Sequence, residues 1–291
     1  MNVPHSASEA RRILGSYGLS PRKKFGQNFL TDESLLSEIV DAAGIEKSDI
    51  VLEIGPGMGT LTSQLAMRAG RVVALEIDKG LIPLLSDLLS EYDNVSVINC
   101  DVMKSDIKQI LSDPDICGDL ANAPSFKVVA NLPYYITTPI MMYLLEEDLD
   151  FASITVMVQL EVAERMCAQP GSRDYGALSL AVAYYTTPEI MIEVPPESFT
   201  PPPAVDSAVV RLTRLPEPPV SCDRKVLFSL IRAAFNQRRK TLVNALAGGG
   251  ICGGDKDAIR AAMSEVGLAD NVRGEQLSLQ QFSDLGERLS R

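Results

Sequence analysis

Tryptophan is absent, histidine occurs once, and aromatic residues make up only 5% of the chain. The one histidine, His5, stands close to the start. Chemistry built around a central imidazole, such as a Ser-His-Asp triad or a His-rich metal site, is therefore not expected. Cysteine is scarce and scattered: Cys100, Cys117, Cys167, Cys222 and Cys252 form no CxxC pair and are odd in number. They read as reduced thiols of a cytoplasmic protein, with neither a disulfide framework nor a zinc site, and no metal is expected. No run approaches the ~18 consecutive apolar residues of a membrane span. The first thirty residues carry Arg11, Arg12, Arg22, Lys23 and Lys24 without an apolar block, unlike a signal peptide. What is present is an ordinary globular balance, 46% apolar and 22% charged over 291 residues. That suits one large domain with a smaller companion.

Basic charge is also in deficit, at 27 basic against 38 acidic residues for a net −11. Taken alone, this argues against a polyanionic partner. The distribution is uneven, however. Residues 1–195 carry 14 basic and 27 acidic side chains, net −13, and residues 196–291 carry 13 and 11, net +2. Basic clusters lie in residues 1–24 and at Arg238-Arg239-Lys240. Phosphate contacts act locally, and salt screens charges beyond ~10 Å, so such patches on an acidic body remain compatible with RNA.

From residue 50 to 160, short β-branched runs at 50–54, 71–77, 95–99, 127–130 and 153–159 alternate with helical spacing at 61–69, 80–92, 106–111 and 138–147. Continuously apolar strands separated by helices indicate a parallel sheet covered on both faces. Runs at 178–185 and 208–212 read as an antiparallel pair closing one edge. After the proline-rich stretch at 215–219, the pattern is helical, over 225–247, 256–266 and 278–290, with a glycine-rich break between the first two. A domain boundary is expected near 215, and no internal repeat is visible.

The first of these strands runs into Glu53-Ile54-Gly55-Pro56-Gly57-Met58-Gly59-Thr60. Glycines there let backbone N–H groups approach a ligand at the sheet's C-terminal edge, although a bare turn would use the same residues. Glu76, at the end of the next strand, can accept from both ribose hydroxyls of NAD or of S-adenosylmethionine. Asp101, at the end of the third, can accept from an adenine amine or simply cap the following turn. The fourth strand leads into Asn131-Leu132-Pro133-Tyr134. An adenine amine is a poor nucleophile because its lone pair is delocalised. A carboxamide oxygen from Asn131 and a main-chain carbonyl from Leu132 or Pro133 would orient the amine's two hydrogens. Proline would stiffen the loop, and Tyr134 would stack on an extruded base.

Taken in order, Lys24-Phe25-Gly26-Gln27-Asn28-Phe29-Leu30, the glycine loop, Glu76, Asp101, the 131–134 tetrapeptide, Phe199-Thr200-Pro201-Pro202-Pro203-Ala204-Val205-Asp206-Ser207 and Phe235-Asn236-Gln237-Arg238-Arg239-Lys240-Thr241-Leu242 resemble one family. It is the ribosomal RNA adenine N6,N6-dimethyltransferase family, in its KsgA/RsmA-type branch acting on 16S rRNA, and the likeness runs from about residue 11 to 290. The departure from the family is the acidic composition. The resemblance implies an α/β, class I Rossmann-like methyltransferase fold, with a mostly parallel seven-stranded sheet and helices on both faces. That domain would span 1–215, including a basic N-terminal arm and cofactor lid over 1–30, and a small all-α RNA-recognition domain would span 216–291. It implies S-adenosyl-L-methionine as cofactor, 16S rRNA in the small ribosomal subunit as partner, and a monomer. Cofactor contacts would come from Asn28, Leu30, Gly55, Gly57, Glu76, Ile77, Asp101, Val102 and Asn131. The reacting base would meet Asn131, Leu132, Pro133 and Tyr134, with Phe199 on its other face. Arg232, Arg239 and Lys240 would form a phosphate rail along one helix, or else solvated charge. Three other readings compete: an NAD-linked dehydrogenase, a 23S rRNA adenine dimethyltransferase of the antibiotic-resistance type, and a non-catalytic assembly factor.

Overall fold

The computed structural model describes residues 3–22, 27–121, 123, 125–147 and 149–290. Lys23, Lys24, Phe25 and Gly26, part of the expected basic arm and lid, lie outside the described residues. The strands are β1 (Phe29–Leu30), β2 (Ile50–Ile54), β3 (Arg71–Glu76), β4 (Val95–Asn99), β5 (Phe126–Asn131), β6 (Phe151–Gln159), β7 (Thr186–Val194), β8 (Phe199–Thr200) and β9 (Ser207–Arg214). The helices are α1 (Ala7–Ser16), α2 (Glu33–Ala43), α3 (Thr60–Arg68), α4 (Ile82–Leu88), α5 (Ile107–Ser112), α6 (Pro114–Cys117), α7 (Thr137–Glu146), α8 (Leu160–Cys167), α9 (Ala177–Tyr185), α10 (Arg224–Asn236), α11 (Leu242–Gly248), α12 (Lys256–Glu265) and α13 (Leu279–Leu289).

Seven strands form one sheet in the order β4-β3-β2-β5-β6-β9-β7. The pairs from β4 through β6 are parallel, and β9 runs antiparallel to β6. This is the expected Rossmann-like class. Every residue of β2 is buried, which matches its unbroken Ile-Val-Leu-Glu-Ile run. Strand register then brings the loops together. Ile54 pairs with both Leu75 and Ala130, so the residues after β2, β3 and β5 emerge along one edge. The two-stranded pairing of β1 with β8 matches Leu30 to Phe199 and Phe29 to Thr200.

By compactness the chain falls into two units, Met1–Ala163 with Glu189–Arg214, and Glu164–Pro188 with Leu215–Arg291. Residues 164–188 join the second unit in addition to the stretch expected from 216 onward. Their own packing accounts for this. The Tyr175 hydroxyl donates to the Leu277 carbonyl (2.9 Å), and Tyr184 meets Phe228 edge-on at 5.2 Å between ring centres.

Two expectations are corrected. The 178–185 run is helix α9, not a strand, and the edge strand comes after it as β7. Leu178, Leu180, Ala181, Val182 and Tyr184 are all buried, so neither a period of two nor of 3.6 is legible there. Alanines at 177, 181 and 183 favour the helix. The 225–247 segment is two helices. Gln237 leaves helical geometry (φ −131°, ψ 51°), and Thr241 starts α11. Arg239 and Lys240 therefore lie in the exposed turn between them, not on one helix with Arg232.

Candidate active site

A cavity opens where β2, β3, β4 and β5 end, closed on one side by residues 27–30. The chain after β2 turns through Gly55 (φ +72°) and Gly57 (φ +59°), angles that side-chain-bearing residues rarely adopt. A Cβ on Gly57 would also stand 3.2 Å from the Phe29 ring, so any larger residue would press on the 27–30 segment.

Glu76 is 4% exposed, and its carboxylate is already organised by the backbone. Oε1 accepts from the Asp78 N–H (2.7 Å) and Oε2 from the Gly57 N–H (3.3 Å). Burial raises its pKa, these N–H groups oppose the rise, and the charge of Asp78 adds to it. Asp101 lines the same cavity while its Oδ1 accepts from Met103 N–H (3.1 Å), so it serves as the cap of a short turn as well. Ile77, half exposed, and Val102 supply apolar wall.

Asn131 closes β5. Its Nδ2 donates to the Asn28 carbonyl (3.2 Å), and among the described residues no donor meets its Oδ1. Pro133's carbonyl accepts from both Ile136 N–H and the Thr137 hydroxyl (3.1 Å each). Leu132's carbonyl accepts from nothing among the described residues, while its N–H donates to the Met157 carbonyl. The open carbonyl beside Asn131 is therefore that of Leu132. The Tyr134 and Ser207 hydroxyls share a 2.6 Å hydrogen bond that fixes the ring, and burial raises the phenol's pKa.

All the expected site residues except Phe199 line this cavity: Asn28, Leu30, Gly55, Gly57, Glu76, Ile77, Asp101, Val102, Asn131, Leu132, Pro133 and Tyr134. Phe199 is 3% exposed and packs in the core with Leu30, Leu61 and Val209. Its strand pairs with β1, where Leu30 stands opposite it. Two residues escaped the sequence reading. Tyr135, 60% exposed, stands at the rim. Glu53, 1% exposed, lines the cavity beside the Thr62 hydroxyl, and among the described residues no donor meets the geometry of a hydrogen bond to its Oε2. Its signal was an acid in an otherwise apolar buried strand, directly before the glycine loop. Among the described residues there is no group of three or more His, Cys, Asp or Glu that could hold a metal ion, and no helix long and apolar enough to cross a membrane.

Comparison with known proteins yields relatives across nearly the full length. The profile of the family "Ribosomal RNA adenine dimethylase" matches residues 18–290. "Ribosomal RNA small subunit methyltransferase A" of Lachnoclostridium phytofermentans is 52% identical over 277 residues, covering 94% of this chain and 93% of its own. The protein of the same name from Geobacillus thermodenitrificans is 48% identical over 281 residues, covering 96% and 94%. Among solved structures, a dimethyladenosine transferase from Plasmodium falciparum superposes with a TM-score of 0.70 at 26% identity, covering 88% of this chain and 95% of that one. The 23S rRNA methyltransferase ErmE gives 0.65 at 27%, covering 91% and 100%. With this match along its length and the Asn131 cavity at the sheet edge, the chain belongs to the ribosomal RNA adenine dimethylase family.

Proposed function

We propose that this protein uses S-adenosylmethionine to dimethylate the N6 amines of two adjacent adenosines in the hairpin near the 3′ end of 16S rRNA, within the small ribosomal subunit of the cytoplasm. One observation carries the chemistry: the Asn28 carbonyl holds Asn131's amide nitrogen, and among the described residues nothing donates to its oxygen or to the neighbouring Leu132 carbonyl. The small-subunit address is supported by 44–52% identity to relatives named for that subunit, against 27% to the 23S enzyme.

The residues present fit the cofactor. Glu53 Oε2 is a buried acceptor without a partner, suited to an ammonium group. Glu76 keeps lone pairs for a diol beyond its two backbone bonds. Ile77 and Val102 offer apolar faces to an adenine, with Asp101 at its edge. When bound, the cofactor supplies an electrophilic methyl on a sulfonium. The chain's own work is to orient the nucleophile. Asn131 Oδ1 and Leu132 O accept the two amine hydrogens, which localises the nitrogen lone pair. Tyr134 offers its face to the base, held by Ser207. No strong base is required, because the proton leaves once the amine has become cationic.

The direct test is incubation with labelled S-adenosylmethionine and unmethylated small subunits, followed by mass spectrometry of the digested RNA. Dimethyladenosine is expected, and unmodified RNA from a folded preparation overturns the reading. Glu76→Ala is expected to weaken S-adenosylmethionine binding by ~10- to 100-fold, as for a lost hydrogen bond to a charged group of ~1.5–3 kcal/mol. Calorimetry reads this, and an unchanged Kd removes the ribose role.

In the second unit, Arg238 is occupied: Nε donates to Glu275 Oε2 (2.7 Å), and the guanidinium also reaches the Arg173 carbonyl. Arg239 and Lys240, both exposed, are the better candidates for phosphate contacts. Changing both to alanine is expected to lower the slope of log K against log salt by about 2. RNA binding at salt concentrations from about 50 to about 200 mM measures it, and an unaltered slope marks them as solvated charge.

A further inference from the structure

Arg22 belongs to the basic N-terminal arm, and its partly exposed guanidinium pairs with a buried acid. Its Nη1 donates to Asp78 Oδ1 at 2.7 Å, and Asp78 is 3% exposed. Gln27 completes the arrangement: its Oε1 accepts from the Arg22 N–H (2.8 Å), and its Nε2 donates to Asp78 Oδ2 (3.4 Å). Both ends of that carboxamide are used, so its orientation is set. Gly80 leaves room for the pair. A Cβ there would stand 3.1 Å from Asp78 Oδ1 and 3.4 Å from an Arg22 nitrogen, while its N–H donates to the same Oδ1 (3.0 Å). The residue after Gln27 is Asn28, whose carbonyl receives the Asn131 amide. The Asp78 N–H meanwhile donates to Glu76. One short segment after β3 thus holds the expected ribose acid and, through its next carboxylate, the backbone that orients the amide at the end of β5.

We propose that Asp78 is a positioning residue: with Arg22 and Gln27 it latches residues 27–28 so that the Asn28 carbonyl fixes the Asn131 amide with its oxygen toward the substrate. The inference rests on the catalytic reading of Asn131. A buried carboxylate needs its counter-charge, so releasing Arg22 or neutralising Asp78 loosens Gln27, and with it the carbonyl on which Asn131 depends. Without that acceptor, the carboxamide can rotate and present its NH2 group to an amine that needs an oxygen.

The test uses the whole protein with asparagine 15N-labelled, the Asn131 side-chain signal being assigned by its loss in Asn131→Ala. In Arg22→Ala and in Asp78→Asn, the Asn131 NH2 protons are expected to shift and to exchange with water ~10-fold or more faster. Arg22→Lys, which keeps a charge for Asp78, is expected to restore part of the protection. Turnover is expected to fall ~10-fold in Arg22→Ala, with the salt slope of RNA binding unchanged. An Asn131 signal that stays put in both variants overturns the latch. A slope lowered by ~1 in Arg22→Ala also overturns it, because it makes Arg22 a phosphate contact. The NMR readout needs neither cofactor nor RNA. Wild-type protein that leaves RNA unmodified would thus sink the catalytic reading while the latch is still decided.

Discussion

Asn131→Ala is expected to lower methyl-transfer turnover by more than ~100-fold while changing S-adenosylmethionine affinity by no more than about threefold. A hydrogen-bond acceptor that acts on charge developing in the transition state is worth ~2.7 kcal/mol or more, and each 1.36 kcal/mol is about tenfold in rate. The expected split reflects how the side chain is held. Its only hydrogen bond among the described residues is Nδ2 to Asn28 O at 3.2 Å, which leaves Oδ1 with no task inside the protein. Truncation therefore removes an acceptor aimed at substrate and disturbs little else. Asn131→Asp is a sharper probe. It keeps an oxygen but replaces the donor that faces the Asn28 carbonyl with a second acceptor, so it is expected to recover only part of the activity. Single-turnover rates and calorimetric Kd values separate the two quantities. Equal losses in rate and cofactor affinity would make Asn131 a cofactor ligand first and remove it from the reacting centre.

The strands that build this site were legible because the information is local. β2, β3, β5 and β6 are almost wholly buried, so their apolar runs stand out, while the edge strand β4 is only partly buried. The glycine loop, Glu76 and the 131–134 tetrapeptide come directly after or at the end of the buried strands, and Asp101 follows β4. What the sequence hides depends on which groups pair and which faces are buried. That Phe199 pairs with Leu30 of β1, 169 residues earlier in the chain, is not readable from its neighbours. Whether Leu132 or Pro133 presents the free carbonyl turns on Ile136 and Thr137 reaching back to Pro133. Arg22 read as part of a basic arm because its partner stands fifty-six residues away. Helix α9 was misread because nearly all of its surface is buried, which erases the period that separates helix from strand. For Arg22 the residue type was visible and the deciding neighbour remote; for Pro133 the neighbours are close in the chain, and only the geometry shows that they reach back.

Glu53→Gln is expected to stabilise the first unit at alkaline pH and to do little in mild acid. The Glu53 carboxyl is 1% exposed, Oε2 has no partner among the described residues, and Glu76 lies on the adjoining strand end. Burial pushes its pKa up to about 8 from 4.5, the nearby Thr62 hydroxyl works against the rise, and the Glu76 charge adds a smaller push. Proton counts give the sign of the effect. Between pH 4.5 and about 8 the folded chain keeps a proton that the unfolded chain releases, so stability falls as pH rises through that window. Below it the carboxyl is neutral in both states and costs nothing; above it the penalty is complete. A shift of this size, at ~1.4 kcal/mol per pH unit, sets a ceiling of ~5 kcal/mol. Glutamine keeps the shape and has no charge to bury. The two proteins are therefore expected to melt together at about pH 4.5 and to diverge by up to ~10 °C at about pH 8.5, taking ~2 °C per kcal/mol for a chain of this size. Thermal melts at several pH values decide it, monitored on the transition of the first unit. Parallel profiles would show that Glu53 is solvated or paired in solution. A cation seated against Glu53 favours its charged form, so saturating S-adenosylmethionine is expected to narrow the gap at about pH 8.5, whereas a ligand bound elsewhere would raise both melting points equally.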